Sequence, residues 1–277
     1  MRVGGIFTFL VKAVVAVLLL GGLCLAPACG RRNLALIVAG STSVQPYAEV
    51  LAEEYELHYA GYELDIQGGG SSAGLEAVRS GAAAIGMSSR ALKEDEQDFW
   101  PVEIAKDGLA VIVHPQNPLQ NLSLEQIRGV YAGTLTNWGE LGGLNAKIHI
   151  FTREEGSGTR TAFEDLVMAK KRISPKAMVQ DSNGAVRQLV SNDKDSIGFI
   201  SLGLVDQTVK ALSLDGVAPN WENIMNGSYT LSRPFLFVTL GQPTGEAKRF
   251  IDFTLSAAGQ QLLIDEGLIP SPEGALK

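Results

Sequence analysis

Short apolar runs alternate with amphipathic runs of helical period, and this alternation limits the folds open to the chain. "NLALIVAG" (33–40) reads as a buried strand, and "SVQPYAEVLAEEY" (43–55) follows with Tyr47, Val50, Leu51 and Tyr55 on one helical face. "YELDIQGGG" (62–70) is a second strand, "SSAGLEAVRSG" a helix with Leu75 and Val78 inward, and "AAAIGMSS" a short third strand. "GLAVIVHP" is a buried strand stopped by Pro115 and Pro118. Such a succession predicts an α/β protein with a largely parallel sheet. With 277 residues the chain is long enough for two domains.

The middle section repeats the scheme: "SLEQIRGVYAG" helix, "AKIHIFT" strand, "GTRTAFEDLVMAK" helix, "AVRQLVSN" helix, "SIGFISL" strand. "RPFLFVTLG" is then another buried strand, and one long helix is expected from Glu246 to Ile264. The strands Gly108–His114 and Pro234–Leu240 bracket this middle section. They read as crossings between two lobes, with the C-terminal segment returning to the first. The boundaries are a leader at 1–28, a first lobe of 29–113 with 235–277, and a second lobe of 114–234. The charge run Lys93–Asp98 reads as a solvated face.

Three junctions carry the chemistry. Gly40-Ser41-Thr42-Ser43, Gly68-Gly69-Gly70-Ser71-Ser72 and Gly156-Ser157-Gly158-Thr159 each stand where a strand hands over to a helix. Glycine lets backbone come close to a ligand. The first N–H groups of a helix have no internal partner and carry a partial positive charge. Hydroxyls there either cap those groups or donate to a bound oxygen. A lone serine before a helix is ordinarily only a cap; three clusters, with Arg153 four residues before Ser157, point to a tetrahedral oxyanion. Arginine's planar fork fits two oxygens of such an ion. Counting about half a charge per helix end, three ends and Arg153 sum to about +2.5.

The N-terminus has Arg2, an apolar stretch from Val11 to Leu25, and small residues before Cys29. That order is an export signal. Lys12 interrupts the stretch, which disfavours a membrane span. Both cysteines, Cys24 and Cys29, fall in or beside this leader, so no disulfide staples the body. Cys29 occupies the place of the lipid-modified cysteine of bacterial lipoproteins, although Ala26 stands where that pattern prefers leucine. An exported protein, periplasmic or at the cell surface and tethered to a membrane by that lipid, is the expectation.

Net charge is −7 for the whole chain. Arg2 and Lys12 are the leader's only charges, so the body holds 21 basic against 30 acidic residues. A body that acidic, with no basic stripe, excludes nucleic acid as a partner. The sequence also speaks against enzymes. Gly-Ser-Gly-Thr is not a hydrolase elbow, and no phosphate-cradling Gly-x-x-x-x-Gly-Lys-Ser/Thr occurs. His58, His114 and His149 lie in unlike contexts without metal spacing. No catalytic residue, metal or cofactor is expected.

Seven segments then add a resemblance. "AGSTSVQP", "QGGGSSAG", "IGMSSRAL", "TNWGELGG", "TREEGSGTR", "IGFISLG" and "LSAAGQQLLIDEGLIP" stand in the order found in phosphate-binding proteins of bacterial phosphate ABC transporters (PstS-like). The resemblance covers about 34–270. It implies a two-lobe periplasmic-binding-protein (type II) fold: each lobe a mixed sheet flanked by helices, joined by two crossing strands. It also implies a monomer that closes on inorganic phosphate and passes it to a membrane permease. Carried over by position, the phosphate ligands are Thr42, Ser43, Ser71, Ser89, Arg153, Ser157, Gly158 and Thr159. Ser89 departs from the pattern, because well-known members hold an aspartate there that accepts a hydrogen bond from protonated phosphate and rejects sulfate. A serine discriminates less, which leaves sulfate or another tetrahedral oxyanion as the alternative ligand. Asp181, Glu154 and Glu155 are candidates for a replacement acceptor, each read first as ordinary surface charge.

Overall fold

In the computed structural model, residues 35–271 are described; residues 1–34, which include the leader, Cys24 and Cys29, and residues 272–277 lie outside them. Strand β1 (Leu36–Gly40) pairs in parallel with β2 (Leu64–Gly68) and with β3 (Ile85–Ser88). Helix α1 (Gln45–His58) connects the first pair, and α2 (Ser71–Arg79) connects β2 to β3. Pro46 sits in the first turn of α1, where its missing N–H costs nothing. Tyr47, Leu51 and Tyr55 of α1 are buried against Phe235, Phe237 and Phe250. Leu75 and Val78 of α2 are buried in a separate cluster with Phe99, Leu236 and Val238.

One strand serves both halves of the sheet. β4 (Phe99–Val113) pairs antiparallel along its first ten residues with β11 (Ser232–Leu240), and along Leu109–Val113 with β8 (Ser196–Ser201). The full order is β2-β1-β3-β11-β4-β8-β6-β7, with β6 (His149–Arg153) and β7 (Met178–Gln180) at the far end. β6 runs parallel to both β7 and β8, the short β9 (Lys210–Ala211) pairs with β4, and β5 (Asn121–Leu122) pairs with β10 (Ser213–Leu214) apart from this sheet. The sheet is therefore mixed: parallel toward its two ends and antiparallel at its middle, where β11 returns from the second half. Around the second half, α3 (Leu124–Ala132) and the segment following β6 bury Ile127, Val130, Phe163 and Val167. Helix α5 (Asn183–Asn192) covers the other face with Val186 and Val190. Between them in sequence, α4 (Gly158–Phe163) runs on as a π-helical turn, Glu164–Met168.

Two elements differ from their sequence expectation. β4 begins at Phe99, well before Gly108, because Pro101, Glu103, Lys106 and Asp107 mask the apolar period of its first part. On the flank away from β11, β12 (Ile269–Pro270) meets only Ala105 and Lys106, so no strand there calls on the missing N–H of Pro101. After the short α6 (Trp221–Met225), the expected helix 246–264 is two: α7 (Gly245–Thr254) and α8 (Ala257–Asp265). Ser256 divides them by accepting the Gly259 N–H at 3.3 Å, as a serine N-cap does. Among the described residues no helix is long and apolar enough to cross a membrane.

α2 lies unusually close to β1. A methyl group at Gly74 would stand 2.5 Å from the Ala39 carbonyl oxygen and 2.6 Å from Gly40 Cα, both backbone atoms. Gly74→Ala gains about 1 kcal/mol of helix propensity but must push two backbones apart, an overpacking cost of about 1–3 kcal/mol or more. The expected outcome is a lower melting temperature; an unchanged or raised one contradicts this packing.

Candidate functional site

The strand-to-helix junctions meet. The loop after β1 is tied to β3 by Ser41 N–H donating to Met87 O at 2.9 Å, and to the next loop by Gly70 N–H donating to Gly40 O at 2.9 Å. That second loop bonds across to the third, where Ser72 N–H donates to Gly156 O at 3.1 Å. At Gly158 an added Cβ would fall 2.2 Å from Ser71 Oγ and 2.6 Å from Ser89 Oγ. Only glycine lets the start of α4 seat against both hydroxyls. Loops from the β1–β2–β3 end of the sheet thus face loops from the β6–β7 end at one place.

Of the eight positions expected to hold the ligand, Thr42, Ser43, Ser71, Ser89, Arg153 and Thr159 bond from loop to loop, Gly158 packs against Ser71 and Ser89, and Ser157 adjoins it. Thr42 Oγ1 accepts from Arg153 Nη2 at 3.1 Å. Ser43 Oγ is 2.7 Å from Thr159 Oγ1, and Ser89 N–H donates to Ser71 Oγ at 3.1 Å. Ser157 caps α4, its Oγ accepting the Arg160 N–H at 3.2 Å. Ser43, Ser71, Ser89, Arg153, Ser157 and Thr159 are all buried.

Arg153 is the charged member, and it is 1% exposed. Its Nε and Nη2 each donate to a Glu154 carboxylate oxygen at 2.9 Å, and Nη2 also to the Asp181 carbonyl at 2.9 Å. Its Nη1 is buried and has no partner among the described residues. Of the three carboxylates considered from sequence, Glu154 reaches the site but is engaged by Arg153. Asp181 contributes its carbonyl, and Glu155 is exposed. The helix-end count of +2.5 therefore overstates the charge, because Glu154 offsets Arg153.

Four further residues belong to the network. Ser41 Oγ donates to Ser89 Oγ at 2.9 Å, and Asn183 Nδ2 donates to Ser43 Oγ at 2.7 Å. Arg233, on β11, donates through Nε and Nη2 to Asp107 Oδ2 at 3.0 and 2.9 Å, and through Nη2 to Ser43 Oγ at 3.3 Å. Asp107 and Arg233 are register partners on the two central strands, and each side chain is 1% exposed. Burial pushes the Asp107 carboxyl above the ordinary range, against the pull of Arg233 and the Ser201 hydroxyl. Burial also draws the Arg233 guanidinium down while Asp107 opposes it. Sequence signals for most of these existed. Asp181-Ser182-Asn183-Gly184 is a fourth small polar junction before a helix, and Arg233 is a lone charge in strand-like surroundings, whereas Asp107 stands beside Lys106 and gave no distinct signal. Among the described residues no cluster is suited to hold a metal ion.

Buried donors converging between two ends of a mixed α/β sheet define a small-anion-binding protein. Residues 27–258 match the PBP superfamily domain. The phosphate-binding protein PstS of Bacillus subtilis is 31% identical over 241 residues, 85% of this chain and 80% of that protein. A Clostridium perfringens protein solved with bound phosphate shares 41% identity at a TM-score of 0.83, covering 86% of this chain and 99% of its own. An ABC-type phosphate transport receptor from Vibrio cholerae shares 37% at a TM-score of 0.71, covering 86% of this chain and all of its own. The chain belongs to the PBP superfamily and, within it, to the PstS-like proteins.

The loop carrying Ser89 is held from outside by Arg90, which turns away from the site and grips Glu96 with Nη1 and Nη2, each at 2.7 Å. Glu96 is thus more than a solvated charge of its run. Burial would raise its carboxyl, but the Arg90 guanidinium and the Lys93 N–H outweigh that and hold it below the ordinary glutamate range. A folded value below the unfolded one, about 4.3, gives stability that is present above that pH and lost as the pH falls through the folded value. Glu96→Gln should cost about 2 kcal/mol at neutral pH. Melting curves of the two proteins should converge in acid; a gap that persists there contradicts the ion-pair origin.

Proposed function

We propose that this chain is an extracytoplasmic solute-binding protein that captures inorganic phosphate and delivers it to an ABC transporter permease. The observation that carries the reading is the buried Arg153 Nη1, a charged donor without a protein partner where hydroxyls and helix starts converge. A tetrahedral oxyanion would supply the missing acceptor. The PstS relatives and the phosphate-bound structure support phosphate as that ion. Thr42, Ser43, Ser71 and Ser89 would serve from one lobe (29–113 with 235–277), and Arg153, Ser157, Gly158 and Thr159 from the other (114–234).

Ligand favours closure because only the closed state offers both sets of contacts. The protein performs no chemistry on the ion. Export, followed by lipid attachment at Cys29, would hold it as a monomer at the membrane surface near the permease. Ser89 in place of a carboxylate favours one second reading, a binder of sulfate or a related oxyanion on the same site.

Calorimetric titration of the body with phosphate, sulfate, arsenate and molybdate distinguishes these readings. One phosphate per chain is the expected result, and a preference for sulfate would give the second reading. Arg153→Ala removes a charge-assisted partner and should weaken phosphate binding about 100-fold, whereas Ser43→Ala should cost less than about tenfold. Equal losses in the two variants, or no binding to the unaltered chain, contradict the proposal.

A further inference from the structure

Ser43 is the most heavily bonded hydroxyl of the site, and its bonds have a direction. Its Oγ receives Asn183 Nδ2–H at 2.7 Å and Arg233 Nη2–H at 3.3 Å, and it lies 2.7 Å from Thr159 Oγ1. Asn183 is oriented from its other end, where Oδ1 accepts the Ser201 N–H at 3.3 Å. A backbone N–H only donates, so the amide has one orientation that satisfies both ends. A hydroxyl has two lone pairs and one proton. With both lone pairs of Ser43 occupied, its proton goes to Thr159, so Ser43 serves the ligand through Thr159 rather than by direct contact, and the Thr159 proton remains for an occupant of the site.

A second chain runs the same way. Ser43 N–H donates to Ser41 Oγ at 3.2 Å, and Ser41 donates to Ser89 Oγ at 2.9 Å. Ser89 has then accepted one bond, and within the protein its own proton has only Ser71 Oγ, at a distant 3.5 Å. Charge does not explain the arrangement, because Arg233 is matched by Asp107 and Arg153 by Glu154. What the buried residues impose is polarity of the hydroxyls.

We propose that Asn183 is a specificity-determining positioning residue. Acting with Arg233 through Ser43, it fixes the Thr159 hydroxyl as a donor, so that the site takes bare oxyanion oxygens and reads the proton of phosphate weakly. This deepens the phosphate reading and rests on it. An aspartate at 183 would accept the Ser43 proton. Ser43 would then accept from Thr159 or leave it free, and Thr159 would offer a lone pair toward the ligand. Dianionic phosphate carries a proton for that lone pair, whereas sulfate carries none.

The test is calorimetry of wild type and Asn183→Asp with phosphate and with sulfate, at an alkaline pH where both ions bear two charges. The added carboxylate repels the two dianions alike, so its charge cancels in the ratio of their affinities. Sulfate binding should fall at least about tenfold further than phosphate binding, the factor that about 1.4 kcal/mol of lost hydrogen bonding gives. In a Ser43→Ala background, which cuts the relay, Asn183→Asp should weaken both ions by one factor. Should Asn183→Asp fail to fold, Ser43→Ala alone suffices: it frees Thr159 to accept and should raise the phosphate-to-sulfate affinity ratio severalfold. Equal losses for the two ions in Asn183→Asp, or an unchanged ratio in Ser43→Ala, overturn the relay and leave the phosphate reading standing. Wild type that binds neither ion overturns both.

Discussion

A buried guanidinium nitrogen without a partner is a cost that folded proteins seldom carry, about 1–3 kcal/mol and more for a charged group. Arg153 Nη1 carries that cost where three loops bond to one another, and the surrounding structure is arranged to keep it there. Glu154 and the carbonyls of Gln180 and Asp181 fix the other nitrogens, so the side chain cannot rotate to satisfy Nη1 elsewhere. A ligand that supplies the acceptor removes the penalty, a gain contained in its affinity, and at one hundred times its Kd it stabilises the fold by about 2.7 kcal/mol. Stability forgone without ligand is recovered with it.

The same arrangement explains how a body with 21 basic and 30 acidic residues can hold a dianion. Each buried cation of the site is matched: Arg153 by Glu154 and Arg233 by Asp107. Formal charge at the site is therefore near zero, and attraction falls to oriented hydroxyls, helix starts and the unmatched nitrogen. Surface carboxylates more than about 8 Å away are screened at physiological salt. The Asp107–Arg233 pair stands on the two central strands and reaches Ser43 and the Ser89 carbonyl. It sets the base on which the loops from both ends of the sheet rest.

Much of this was legible in the sequence because the signals were local. Strand and helix periods located β1, α1, β2, α2 and β8, and glycine–hydroxyl clusters located the loops that meet. What stayed hidden depended on tertiary context. The early part of β4 carries charges that only a long paired strand with a partly open flank accommodates. The division at Ser256 turns on a cap within an otherwise helical period. Arg233 and Asn183 gave weak local signals, since a lone charge in a strand and a serine–asparagine turn are usually structural. Their place at the site follows from β11 and α5 arriving beside Ser43, a contact between residues 140 or more positions apart.

The most direct test is a crystal structure of the chain with phosphate. A phosphate oxygen within hydrogen-bonding distance of Arg153 Nη1, with Thr159 and Ser89 also in contact, is the expected result. Phosphate seated elsewhere, for instance against the exposed basic run 170–172, with Arg153 Nη1 still unpartnered, would contradict it.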